Sequence, residues 1–164
     1  MSKKFPFPSR LADSDGKSPT TAAQVMPESA DLWVACWATK FAIAPAEGER
    51  VEYEWSDFEG ATWDDDADLL AITFIDSRIP QLRFVLSPDA DPLVLTMIRE
   101  RVERSLVFQQ FRELPSGAVA RGLVRRNADE SLFSQILVSG TVTAADQAEL
   151  DALDVEIRDA VGLD

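Results

Sequence analysis

Histidine is absent from all 164 residues, and cysteine occurs once, as Cys36. Without an imidazole there is no Ser-His-Asp triad, no Cys-His dyad and no two-histidine metal site, and most acid–base schemes at neutral pH are gone. A lone thiol forms no internal disulfide and supplies no cysteine-rich zinc site. Lysine is nearly missing too: beyond Lys17 only Lys40 remains, and no serine stands in a nucleophile turn that could use it. No stretch approaches the ~18 consecutive apolar residues that span a membrane. No apolar run follows Lys3 and Lys4 as a secretory leader requires, so a cytoplasmic location is the expectation. Positive charge is scarce overall, with 16 basic against 29 acidic residues and a net charge of -13. That balance argues against nucleic acid and anionic membrane as partners, both being negative themselves.

What is present is the composition of a folded chain, 46% hydrophobic and 27% charged, long enough to bury a core without metals or disulfides. Residues 1–29 carry Pro6, Pro8, Pro19 and Pro27 and show neither strand nor helix period, so they read as an irregular N-terminal tail. Within it, Phe5-Pro-Phe7-Pro8 is either a docking motif or a segment that packs back on its own domain. Residues 30–164 read as a single α+β domain. Apolar, aromatic-rich runs at Leu32 to Ala38 and Phe41 to Ala46 predict strands, and Val51, Tyr53 and Trp55 alternate with Glu52 and Glu54. Phe58 to Trp63 follows, with Gly60 as a bulge, then Leu69 to Ile75 and Gln81 to Leu86. Asp91 and Pro92 open a helix whose stripe is Val94, Ile98, Val102 and Leu106. Strands return at Val107–Leu114, Val119–Arg125 and Leu132–Val138. Thr143 with Asp146 caps a last helix with the stripe Leu150, Leu153, Ile157 and Val161, which Gly162 ends.

Two chemical motifs fail on spacing. Gly16-Lys17-Ser18 resembles the end of a phosphate-binding loop, but the earlier glycine position holds Leu11, and no strand or helix flanks it. Asp64, Asp66 and Asp68 match the first ligand positions of a calcium loop, whose glycine and glutamate positions are Leu69 and Ile75 here. They read as the turn of a hairpin. Cys36 lies in an apolar strand and reads as core. No metal site and no cofactor are expected.

Charge is segregated along the chain. Thirteen acids lie between Glu28 and Asp76 against Lys40 and Arg50, whereas nine arginines outnumber five acids between Arg78 and Arg126. These arginines either neutralise neighbouring carboxylates or form a basic face. Arg101 and Arg104 sit on neighbouring helical turns, and Arg121 and Arg125 on one side of a strand, so these four are the candidate interaction face.

Trp55-Ser-Asp-Phe58, followed by Ala61-Thr-Trp63-Asp64 and Leu70-Ala-Ile72, resembles bacterial pleckstrin-homology-like domains. Residues 30–163 are also similar to uncharacterised actinobacterial proteins of this length. The resemblance implies a binding scaffold of seven strands closed by one helix. Here a helix at about 92–105 precedes further strands, and only Lys40 and Arg50 stand where such domains can carry a phosphoinositide pocket. The expected fold is therefore α+β, a bent antiparallel sheet or partly open barrel with two amphipathic helices. The expected function is a non-catalytic protein-interaction module for a protein partner. A carboxylate-dependent hydrolase, and an acidic inhibitor that mimics nucleic acid on a basic protein surface, are the alternatives.

Overall fold

The computed structural model describes residues 6–163. It is α+β, and it divides into two compact units, Met1–Glu103 and Arg104–Asp164, where one domain from residue 30 was the expectation. Instead of one bent sheet, three antiparallel sheets are present among the described residues.

In the first unit, β1 (Thr21–Val25), β2 (Leu32–Cys36), β3 (Lys40–Ala44) and β4 (Val51–Glu54) form a four-stranded sheet in sequence order. β5 (Phe58–Asp64), β6 (Leu69–Phe74) and β7 (Leu82–Val85) form a three-stranded sheet, and α1 (Leu93–Ser105) follows. Val25 bridges to Leu86, the Met26 N–H donates to the Val85 carbonyl at 2.7 Å, and the Ser87 N–H donates to Gln24 at 2.9 Å. The two sheets thus join at one corner without closing into a barrel.

Residues 21–25 correct the reading of an irregular tail, since they form β1 against β2 in a continuous register from Thr21–Cys36 to Val25–Leu32. Thr21-Ala-Ala-Gln-Val has no strong alternation, because both faces of this sheet are covered. One face sends Val25, Val34, Cys36 and Phe41 into the main core. The other presents Ala22, Ala35, Ala42 and Ala44, and these small side chains leave room for Leu11, Trp37 and Phe7 to pack on them. Double coverage explains why β2 and β3 are apolar without interruption. Phe7 therefore packs back on its own unit, while Phe5 lies outside the described residues.

The main core joins both sheets of this unit to α1. Phe41, Phe58, Phe74 and Tyr53 form an aromatic chain, with centroid separations of 5.8 Å for Phe41–Phe58 and 5.2 Å for both Phe58–Phe74 and Tyr53–Phe74. These spacings suit edge-on and tilted ring packing. Val94, Met97, Ile98 and Val102 are the helical side of that core. Leu106, expected to continue this stripe, instead begins the next strand. Asp91 caps α1, accepting the Leu93 N–H at 3.0 Å, and its second oxygen accepts the Thr21 hydroxyl at 2.9 Å. One carboxylate thereby satisfies a helix donor and fixes the start of β1.

In the second unit, β8 (Leu106–Glu113), β9 (Val119–Arg126) and β10 (Leu132–Ser139) form a meander with β9 in the centre, and α2 (Gln147–Ala160) packs on one face. Gly122 permits close approach: a Cβ there would stand 3.1 Å from Leu153 and Ile157. Ala120, Val124, Leu153 and Ile157 are the buried centre, joined by Phe108, Ile136 and Val138. Gly162 takes φ +70°, so that the Leu163 N–H reaches the Arg158 carbonyl at 2.8 Å and the Gly162 N–H reaches Asp159 at 3.2 Å. That pairing satisfies two of the last helical carbonyls. No helix among the described residues is long and apolar enough to cross a membrane.

Candidate functional site

The four arginines of the candidate face are divided between the two units and differ in exposure. Arg101 belongs to the first unit, and Arg104, Arg121 and Arg125 belong to the second. Arg104 pairs with Glu130 at 2.8 Å, a carboxylate it shares with Arg126 at 3.3 Å. Arg121 and Arg125 do lie on one side of β9, the side away from α2. Arg125 is only 1% exposed, and its Nη2 donates to Ser105 Oγ at 2.8 Å. A buried guanidinium offers nothing to a partner at the surface, which corrects its place in an exposed face. Burial of Arg125 was not readable from its spacing, because alternation on a strand tells which residues share a side but not what covers that side.

Other arginines have local carboxylates. Arg112 pairs with Glu156 and lies 3.6 Å from Glu149, all on the α2 side of the sheet. Its guanidinium holds the Glu156 carboxyl below the usual range. On the β6–β7 turn, hydrogen bonding from the Arg78 side chain holds the Asp76 carboxyl down to about 2.

The two cations near the first strands are committed to the fold. Arg50 Nη1 donates to the Ala12 carbonyl at 2.9 Å, and its Nη2 lies 3.3 Å from Glu52. Lys40 reaches Asp13 at 3.3 Å and Glu52 at 3.2 Å. Burial works against the Lys40 charge, but hydrogen bonds to Glu52 and Asp13 outweigh it and raise the ammonium pKa. Both cations lie over the Trp37 ring, at 5.1 Å for Arg50 and 5.3 Å for Lys40. The indole N–H donates to the Lys17 carbonyl at 3.1 Å. This cluster clamps residues 10–17 onto the sheet. The Gly16-Lys17-Ser18 motif lies in a turn organised by Asp13, whose Oδ1 accepts the Lys17 and Asp15 N–H groups. Those backbone donors, the Lys17 N–H foremost, lower the Asp13 pKa.

At the β5–β6 turn, Asp64 is turned toward the backbone and Asp65 toward an indole. Asp64 Oδ1 accepts the Asp66 and Ala67 N–H groups at 3.0 and 3.2 Å, and Asp65 accepts from the Trp63 indole at 3.3 Å. Among the described residues, no group of three or more His, Cys, Asp or Glu side chains is placed to hold a metal ion. Cys36 is fully buried, and desolvation pushes its thiol pKa up.

A cavity of about 190 Å³ lies beside Trp33 in the first unit, with Ala22, Gln24, Glu28, Asp89 and Asp91 on its walls. Trp33 Nε1 donates to Asp31 at 3.0 Å, which fixes the ring. Asp91 is already engaged as the α1 cap. Residues Glu28 and Asp91 are distant in the chain, so no local motif announces their approach.

No protein-family model, no curated protein and no solved structure matches this chain.

Proposed function

We propose that the chain is a non-catalytic protein-binding module, and that its first unit is a pleckstrin-homology-like scaffold without phosphoinositide recognition. The order of elements carries this reading. With β1 included, the first unit has seven antiparallel strands, four and then three, followed by one helix in their shared core. The strands that depart from the resemblance, β8 to β10, all fall in the second unit.

Charge supports the absence of a lipid site. The β1–β2 connection carries Glu28 and Asp31, and Lys40 and Arg50 already pair with Asp13 and Glu52. Against the hydrolase reading, Asp91, one of the carboxylates on the cavity wall, is already engaged by the Leu93 N–H and the Thr21 hydroxyl. A cytoplasmic setting, with a protein rather than a nucleic acid or membrane as partner, fits this charge.

The test is affinity capture from the native host, followed by calorimetry of each captured protein with the purified chain. A saturable one-to-one complex is expected, alongside no sedimentation with phosphoinositide vesicles at physiological salt. Vesicle binding, or hydrolysis lost on substituting a pair of carboxylates, would overturn the proposal.

A further inference from the structure

We infer that β10 is a self-association edge: two copies of this chain pair through antiparallel β10 strands, extending the sheet of the second unit to six strands across a two-fold axis.

A sheet edge presents unpaired N–H and C=O groups, and proteins ordinarily blunt it with charge, proline, bulges or brevity. The other edges here have such devices. β1 is covered in part where Gln24 accepts the Ser87 N–H and Val25 bridges to Leu86. β4 is four residues long and carries Glu52 and Glu54, and β7 is four residues long and carries Arg83. β5 carries Glu59 and Asp64 and has a register shift between Phe58 and Gly60, and β8 ends in Arg112 and Glu113 with a shift between Leu106 and Phe108. β10 has none of them. It reads Leu-Phe-Ser-Gln-Ile-Leu-Val-Ser, eight residues without charge or proline, paired to β9 residue for residue without a bulge. Among the described residues, no backbone group of β10 bonds outside its ladder with β9.

The occupant follows from charge. Each chain carries a net -13, so two copies repel across most of their surfaces. β10 meets its own copy with no carboxylate facing another, whatever the register, and like charges placed opposite each other are what destabilise strand pairs. The helix flank above it carries both signs. Arg158 Nη1 donates to Ser134 Oγ at 3.2 Å, which places that flank over β10, and Asp151 and Asp154 share it at helical spacing. A two-fold axis through β10 brings one copy's Arg158 toward the other's aspartates. The contact is isologous, so it closes as a dimer rather than growing into a fibre.

Sedimentation velocity of the full chain from about 1 to about 100 µM tests this. The expected result is a concentration-dependent species of twice the 18.1 kDa chain mass. Gln135→Lys, which sets two ammonium groups near the two-fold axis, is expected to weaken dimerisation at least tenfold while leaving the circular dichroism spectrum unchanged. Gln135→Cys, near the strand centre, is expected to give an inter-chain disulfide on mild oxidation, while the wild type with buried Cys36 gives none; this variant decides the matter if the lysine variant fails to fold. A wild type that stays monomeric throughout overturns the inference, as does a dimer that neither variant affects.

Discussion

Asp146 and Ser116, thirty residues apart, are joined twice: the Ser116 N–H donates to Oδ1 at 3.0 Å and its hydroxyl to Oδ2 at 2.7 Å. The same carboxylate accepts the Thr143 N–H at 2.8 Å. Asp146 is thus both the acidic member of a capping box and the anchor of the β8–β9 turn, and it is fully buried. Hydrogen bonds from the Thr143 N–H and then from Ser116 lower its pKa.

Asp146→Ala is expected to lower the melting temperature by about 5 °C, as loss of a cap shared by two elements should. The pH dependence follows from the sign of the shift. A carboxylate depressed in the folded state contributes stability above its unfolded pKa and loses it as pH falls through the folded value. Denaturant titrations below about pH 4 should therefore show a steep fall in wild-type stability that Asp146→Asn flattens. Equal slopes in the two proteins would contradict this.

Gly122→Val should destabilise the second unit by about 1–3 kcal/mol, since α2 already lies where the new side chain must go. Urea unfolding followed by circular dichroism measures it. An unchanged midpoint would mean that α2 slides without cost.

Removal of residues 1–29 should abolish cooperative folding of the first unit. It deletes β1, Phe7 and Leu11, so the outer alanine face of the sheet keeps Trp33 and Trp37 but loses the rest of its cover. The milder Leu11→Ala should cost about 2–5 kcal/mol. A truncated chain that melts like the full one would show that the segment only rests on the sheet.

Phe58→Ala should cost about 3–5 kcal/mol, because Phe58 touches Phe41, Tyr53, Trp55 and Phe74 at the junction of the two sheets. Chemical denaturation reads the loss directly.

Cys36 should resist a thiol-specific reagent in the native protein and react fully once denaturant is added, because the reactive thiolate is disfavoured by burial. Rapid labelling of the native chain would indicate local opening of β2.

The helices and most strands were legible because their signals are local. Asp91 with Pro92 opens α1 and Gly162 closes α2, where nearby backbone groups need a cap or a positive φ, and the Val94–Ile98–Val102 and Leu153–Ile157 spacings point into cores as their periods require. The limits of the sequence appear at β1. Thr21-Ala-Ala-Gln-Val has weak intrinsic strand character, and it is a strand because β2 supplies its ladder and Leu11 and Phe7 cover its outer face. The continuous apolar character of β2 and β3 held that information, since a strand apolar on both faces needs two covers. The candidate arginine face shows the same division. Spacing put Arg121 and Arg125 on one side of β9, but only the assembled structure determined that Arg125 is buried against Ser105 while Arg104 and Arg126 share Glu130. By itself the sequence determined the periodic elements, the excess of negative charge and the lack of imidazole chemistry, all properties of neighbouring residues or of composition. The tertiary structure alone decided which groups are buried, which charges pair, and that β1 joins the sheet as the first of seven strands before α1, because each of these depends on residues the chain separates and folding brings together.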